Sequence, residues 1–93
     1  MYQLYTECIA DIAGIRDLLK SGRRLDAQRR LKDVKAKWKE HIHQNKGTEI
    51  ERGIEEALCR LPKASSRPDG RWLGDLADAE GDFTFHLDYQ RKT

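Results

Sequence analysis

The chain has 93 residues, of which 38% are hydrophobic and 37% charged, and its formal net charge at pH 7 is +2. This length supports one domain with a modest core, and the composition excludes a disordered or low-complexity protein. No stretch approaches the roughly 18–20 apolar residues that a membrane helix needs, and the amino terminus carries acidic residues where a signal peptide is basic. We therefore expect a single domain, residues 1–93, in the cytoplasm and away from membranes.

The first predicted element is an amphipathic helix from about Tyr2 to Lys20. Ser21 and Gly22 end it, because glycine readily takes the left-handed conformation that closes helices. We expect Cys8 to lie in the core, since it belongs to the apolar stripe of this helix. That stripe consists of Leu4, Cys8, Ile12, Ile15 and Leu19.

A second helix is predicted from about Arg24 to Gln44. Its apolar residues are spaced by four, three, four and four positions, which is the pattern of one buried helical face. These residues are Ala27, Leu31, Val34, Trp38 and Ile42.

The connection between the two helices, LLKSGRRLDAQRRL from Leu18 to Leu31, locally resembles the helix-turn-helix of tetratricopeptide repeats. A glycine stands at the turn, and the small residue Ala27 follows five positions later. The resemblance covers one hairpin, and no second copy occurs at the 34-residue period of such repeats. It implies an antiparallel helical hairpin and not membership in that family.

A third helix is predicted to begin at Thr48, because Thr48 and Glu51 have the spacing of a capping box. Pro62 ends it, since proline disfavours helical geometry at the preceding residue. Cys59 points away from the apolar stripe, so we expect its thiol to be exposed or covered by the C-terminal segment. The stripe consists of Ile50, Ile54, Ala57, Leu58 and Leu61.

The chain changes character after Pro62. The run KASSRPDG, Lys63 to Gly70, is typical of a loop. Near the C-terminus, Phe83, Phe85, Leu87 and Tyr89 alternate with polar residues, a pattern that predicts a half-buried strand. Its partner would be the segment 71–77 in a hairpin, or the same strand of a second copy. Trp72, Leu73, Leu76 and Ala77 also fit one or two helical turns.

Together these elements predict a mainly α fold. Residues 1–62 form a three-helix bundle, an antiparallel αα-hairpin plus a third helix. Residues 63–93 close it with a loop and a C-terminal β-hairpin or strand.

Positive charge is concentrated in the middle of the chain. Between Arg16 and Lys46 there are eleven Lys or Arg residues against four Asp or Glu, a local excess of seven. Such segregation favours contact with a partner, nucleic acid included, or pairing with the acidic third helix. Acidic residues on the outward face of the second helix, among them Asp33 and Glu40, lie between its basic flanks. The pairs Asp26 with Arg30 and Asp33 with Lys37 have the spacing of internal ion pairs.

No catalytic or cofactor pattern is present in the sequence. His41 and His43 are two residues apart on a helix and therefore point about 200° from one another, so they cannot ligate one metal ion together. No nucleophile motif accompanies His86, and we expect neither enzyme activity nor a cofactor.

The sequence favours a small non-enzymatic protein-binding module, an accessory, regulatory or inhibitory protein on a larger partner, and an acidic surface on that partner is one option. The alternative is a nucleic-acid-binding protein that uses the basic flanks of the second helix; a homodimer is compatible with both. Aromatic residues are favoured at protein interfaces, and segregated charge steers association. The candidate partner-binding residues are Lys32, Lys35, Lys39, Trp72, Phe85 and Tyr89.

Overall fold

The structure, a computed structural model, describes the backbone of residues 3–63 and 68–91 and the side chains of these residues as far as Leu87. The described part of the chain contains four helices and no strand. They are α1 (Gln3–Lys20), α2 (Arg24–Gln44), α3 (Glu49–Arg60) and α4 (Asp69–Arg91). The predicted three-helix count is therefore wrong, and a fourth helix takes the place of the predicted C-terminal hairpin or strand.

Local contacts determine where α1 ends and where α3 begins. Gly22 has φ +76°, and the backbone N–H groups of Gly22 and Arg23 donate to the carbonyls of Leu19 and Leu18, which closes α1 in a Schellman motif. At the start of α3, the side chain of Thr48 accepts from the backbone N–H of Glu51. These contacts confirm the predicted end of α1 and the predicted start of α3.

The four helices form a closed bundle in which consecutive helices are neighbours and α4 packs against both α1 and α3. The centre of the bundle is aromatic. The rings of Trp38 and Phe83 meet edge to face at 5.3 Å, and Tyr5 lies 5.4 Å from Phe83. Cys8 is fully buried, as predicted, and Cys59 is exposed.

The alternating aromatic residues near the C-terminus lie on a helix and not on a strand. Side chains two residues apart on a helix point about 200° from one another. Phe83 therefore enters the core, whereas Phe85 is 67% exposed. The buried residues of α4 recur at helical spacing instead, at Trp72, Leu76, Ala79 and Phe83.

The segment Pro68–Gly70, predicted as part of a loop, lies at the start of α4. The carbonyl of Pro68 accepts from the backbone N–H of Arg71 and Trp72, which gives α4 its first turn. Asp69 adds a negative charge there, where the helix dipole favours it. The rest of the predicted loop, residues 64–67, lies outside the described residues.

Candidate functional site: a lysine cleft and an aromatic groove

The predicted site residues divide between two surfaces. Lys32, Lys35 and Trp72 line one cleft of about 180 Å³, whereas Phe85 belongs to a separate groove of about 330 Å³. Lys39 is exposed on α2, and the side chain of Tyr89 lies outside the described residues. Those predicted site residues whose side chains the structure describes therefore do not form one continuous site.

The first surface, which we call the lysine cleft, lies between α2, the start of the α3–α4 connection and α4. Its floor is apolar, since Leu31, Pro62 and Trp72 are all buried. Trp72 thus belongs to the core as well as to the cleft. The lysine cleft is lined by Gln28, Leu31, Lys32, Lys35, Pro62, Lys63 and Trp72.

Positive charge is crowded at the lysine cleft. Lys35 Nζ donates to the carbonyl of Pro62 at 2.7 Å. Burial lowers the pKa of this amine, and the positive charges of Lys39 and Lys63 lower it further. Among the described residues, no carboxylate lies within ion-pairing distance of Lys32 or of these three lysines.

Two basic residues on the other flank of α2, Arg23 and Lys37, have carboxylate partners within the chain. Lys37 Nζ lies 3.2 Å from Asp11 Oδ2 on α1. Asp26 pairs with Arg23 at 2.7 Å, and neither predicted i,i+4 pair of α2 is present among the described residues. Within the described part of the chain, no ion pair joins α2 to α3, so the electrostatic pairing of a basic flank with the acidic third helix stays a prediction.

Asp11 is a buried carboxylate that pattern analysis missed. It is 8% exposed, and its Oδ2 accepts a hydrogen bond from Trp38 Nε1 at 3.1 Å as well as from Lys37. Its position between Cys8 and Ile15 on the apolar stripe of α1 was the available signal. Because its partners are all internal, Asp11 joins α1 to α2.

The second surface, which we call the aromatic groove, lies between α1, α3 and α4. The ring of Tyr5 forms its base and lies 5.8 Å from the ring of His86, which in turn lies 5.9 Å from Phe85. Gly53 gives Tyr5 its space, since a Cβ there would lie 2.5 Å from the Tyr5 hydroxyl oxygen. The aromatic groove is lined by Tyr5, Glu49, Arg52, Gly53, Glu56, Phe85 and His86.

The rim of the aromatic groove carries acidic residues, whereas the rim of the lysine cleft carries basic residues. Burial raises the pKa of Tyr5, and the negative charges of Glu49 and Glu56 contribute to the same shift. Arg52 lies 3.7 Å from Glu56 and offsets part of that charge. The two surfaces therefore differ in the sign of the charge that a ligand would meet.

The histidines and cysteines show no catalytic grouping. His41 is half-buried and His43 is exposed. Burial raises the pKa of Cys8 to about 12, so its thiol is protonated at neutral pH. In the described ranges 3–63 and 68–87, no three His, Cys, Asp or Glu side chains are placed to hold a metal ion.

No described helix is both long enough and apolar enough to cross a membrane. Comparison of the chain with protein-family models, with curated proteins and with solved structures found no match. The chemistry of the two surfaces is therefore the basis for a functional proposal.

Proposed function

We propose that this chain is a small non-enzymatic protein-binding module that acts as an accessory, regulatory or inhibitory protein on a larger partner. The observation that carries the proposal is the exposure of Phe85. It is 67% exposed beside the aromatic groove, whereas Trp72 and Phe83 of the same helix are fully buried. Among the described aromatic side chains, Tyr5, Trp38, Trp72 and Phe83 are buried, whereas most of the Phe85 surface is accessible to a partner.

Burial of Phe85 at an interface would be energetically substantial. Moving a phenylalanine side chain out of water contributes about 1.5–3 kcal/mol, and buried aromatic residues dominate many protein interfaces. The groove beside it has a volume of about 330 Å³, which gives a side chain of the partner a place next to the ring. Phe85 and the aromatic groove thus supply an apolar centre for an interface.

The lysines supply the second component of the proposed interface. Lys32 and Lys39 are exposed on α2, where they would attract an acidic surface and accelerate encounter with it.

The test is affinity purification of the tagged full-length chain from its native lysate, with wild type and Phe85→Ser in parallel. We expect Phe85→Ser to lose a partner that wild type retains after nuclease treatment, with binding weakened by roughly thirtyfold, or about 2 kcal/mol. Leu25→Ser is the matched control, because Leu25 is 71% exposed on α2 and belongs to neither surface. Equal retention of the partner by Phe85→Ser and wild type would contradict the proposal.

Truncation of the chain before Phe83 is not a useful test of this interface. Phe83 packs on both Tyr5 and Trp38, so its removal opens the core. Loss of binding would then report unfolding and not loss of a contact.

Nucleic-acid binding is the second candidate, and the crowded lysines favour it. Phosphates would neutralise Lys32 and Lys39 with release of counterions, so affinity for an oligonucleotide should fall steeply with salt. Charge reversal at both lysines should abolish that binding, whereas Phe85→Ser should leave it unchanged. Recovery of nucleic acid alone, lost on nuclease treatment, would favour this candidate over the protein-binding module.

A further inference from the structure

The aromatic groove presents accessible aromatic surface next to carboxylates. Phe85 is 67% exposed, and His86 beside it is half-buried. Glu49 and Glu56 on α3 line the same groove and are both exposed. A ligand in the groove would therefore contact the Phe85 ring and a carboxylate together.

The charged residues that line the aromatic groove have a net negative charge. They are two glutamates and one arginine, which gives a formal charge of −1 with neutral His86. Arg52 lies 3.7 Å from Glu56 and offsets the charge of that carboxylate. Among the described residues, no basic side chain lies within ion-pairing distance of Glu49. A cationic ligand would therefore be attracted chiefly to Glu49.

The carboxylate of Glu49 is not used in capping α3. The Thr48 side chain accepts from the backbone N–H of Glu51 at 3.4 Å, and Glu51 Oε2 accepts from the backbone N–H of Gly47 at 2.6 Å. These two contacts cap the start of the helix without Glu49. The Glu49 carboxylate lines the groove instead, where it can accept hydrogen bonds from a ligand.

An arginine side chain matches both the ring and the carboxylate. Its planar guanidinium group can stack on an aromatic ring and can donate two parallel hydrogen bonds to a carboxylate. An apolar side chain would cover the Phe85 ring, but it would displace water from Glu49 without replacing the lost hydrogen bonds. The ammonium group of lysine is more compact and more strongly hydrated, so it would cover less of the ring. A nucleic-acid phosphate would be repelled by the net negative charge of the groove.

The size of the aromatic groove suits one such side chain. Its volume of about 330 Å³ lies at the lower end of the roughly 300–1,000 Å³ of pockets that hold drug-sized molecules. Arginine is among the residues enriched at the energetic centres of protein interfaces, and such a centre tends to pair with one on the partner.

We propose that the aromatic groove binds an arginine side chain of the partner protein. The guanidinium group stacks on the Phe85 ring and donates to the Glu49 carboxylate. This inference rests on the proposed function and specifies which side chain of the partner lies beside Phe85.

The experiment is a titration of the isotopically labelled full-length chain with capped peptides to about 20 mM, followed by backbone amide NMR, which detects millimolar affinities. The principal probe is Gly-Ser-Arg-Ser-Gly. Three matched peptides replace its central residue. Citrulline has the shape of arginine without the charge, lysine has the charge without the planar group, and leucine is apolar.

We expect the arginine peptide to shift the backbone amides of Gly53, Phe85 and His86. The citrulline and leucine peptides should bind about fivefold more weakly, which corresponds to about 1 kcal/mol, because neither forms an ion pair with Glu49. The lysine peptide should bind about threefold more weakly, since its ammonium group does not stack on the ring. Because it carries the same charge as the arginine peptide, it also controls for ionic strength.

Variants of the chain locate the contact. Glu49→Gln should weaken binding of the arginine peptide about fivefold, because it removes the charge and keeps the size of the side chain. Glu55→Gln is the matched control and should leave binding unchanged, because Glu55 is exposed on the same helix and does not line the groove. Phe85→Leu should weaken binding about threefold, since leucine is apolar but has no ring. Circular dichroism checks that each variant keeps its helical content.

Several results would overturn the inference. They are no shift at the groove with about 20 mM arginine peptide, equal affinity for the citrulline or lysine peptide, and equal loss of binding in Glu49→Gln and Glu55→Gln. Shifts of the same amides with protein concentration alone would identify a second copy of the chain as the occupant and would also overturn it.

The partner recovered by affinity purification separates this inference from the proposed function. Loss of that partner by Glu49→Lys but not by Glu55→Lys would support the arginine contact. If Phe85→Ser loses the partner and Glu49→Lys retains it, the arginine inference is wrong and the protein-binding proposal stands. If both of these variants retain it, the protein-binding proposal is wrong as well.

Discussion

Phenylalanine and charged side chains occur both in the interior of the bundle and on its surface, where they differ in burial and in the contacts that they make. Phe83 is fully buried between Tyr5 and Trp38, whereas Phe85 is 67% exposed two residues later on the same helix. The interior aromatic ring has its full set of contacts within the fold. Most of the surface of the exposed ring is instead accessible to a partner.

Charged residues show the same contrast. Asp11 and Lys37 neutralise one another next to Trp38, where the carboxylate is 8% exposed. Lys35 and Lys63 instead share a cleft with no carboxylate in ion-pairing distance among the described residues. Buried residues such as Phe83 and Asp11 hold the fold together, and the more exposed residues Phe85, Lys32 and Lys39 are the candidates for binding.

The largest effect that we expect is a difference in the free energy of unfolding between substitutions of the two phenylalanines. Phe83→Ala should lower the free energy of unfolding by about 3–5 kcal/mol, because it leaves a cavity between two aromatic rings. Phe85→Ala should change it by less than about 0.5 kcal/mol, since the site is exposed. Urea denaturation followed by circular dichroism measures both. Similar losses for the two variants would contradict the helical placement of these residues.

The next effect concerns the buried carboxylate. Asp11→Ala should cost about 2–3 kcal/mol, because it leaves the indole N–H of Trp38 buried without an acceptor and removes the counter-charge of Lys37. Asp11→Asn should cost less, since the amide oxygen can still accept from the indole. Asp17→Ala is the control on the same helix, because the Asp17 side chain is 75% exposed, and we expect a change below about 0.5 kcal/mol. Equal losses at both aspartates in urea denaturation would show that the contact of Asp11 contributes nothing.

A smaller effect is expected at the base of the aromatic groove. Gly53→Ala gains up to about 1 kcal/mol of helix propensity, but it overpacks against the Tyr5 hydroxyl at a cost of about 1–3 kcal/mol. We therefore expect a net loss of about 1 kcal/mol that is relieved in the background of Tyr5→Phe. Gly74→Ala should stabilise the protein, because nothing lies within 4 Å of a Cβ there. A double-mutant cycle without coupling between positions 5 and 53 would contradict the observed contact.

The smallest expected effect is the pH dependence contributed by the buried thiol. The folded-state pKa of Cys8 is about 12 against an ordinary value of 9.0, so the unfolded chain loses this proton first as the pH rises. The resulting stabilisation is complete below about pH 9 and is lost toward pH 12. Between pH 8 and pH 10, wild type should lose about 1 kcal/mol more than Cys8→Ala does. Cys59→Ala is the control, because Cys59 is exposed, and it should lose as much stability as wild type over this pH range. If Cys8→Ala also lost as much stability as wild type, the assignment of the pH dependence to Cys8 would be contradicted.

Helix α4 shows where reading the sequence failed. The alternation of Phe83, Phe85 and Leu87 fits a strand, and Gly81 with Asp82 before it resembles a turn. The spacing of Trp72, Leu76, Ala79 and Phe83 is the same four, three, four pattern that located α2 correctly. Two periods were therefore present in one segment, and only the packing of α4 against α1 and α3 selects between them.

The candidate surfaces were predicted in part. Lys32, Lys35 and Trp72 do line one cleft, but Lys63 was missed because it joins that cleft only when α3 and α4 pack. Tyr5, Gly53 and His86 were likewise missed as components of a groove. No local pattern brings together residues from α1, α3 and α4.

The sequence by itself determined the extent of the first three helices and the burial of Cys8. Caps, turn glycines and apolar periodicity act within a few residues, so they can be read along the chain. The tertiary structure alone decided that residues 69–91 form a helix, that Asp11 neutralises Lys37, and which lysines have no carboxylate in ion-pairing distance among the described residues. Those outcomes depend on contacts between residues far apart in the sequence, because burial and charge compensation are properties of packed helices.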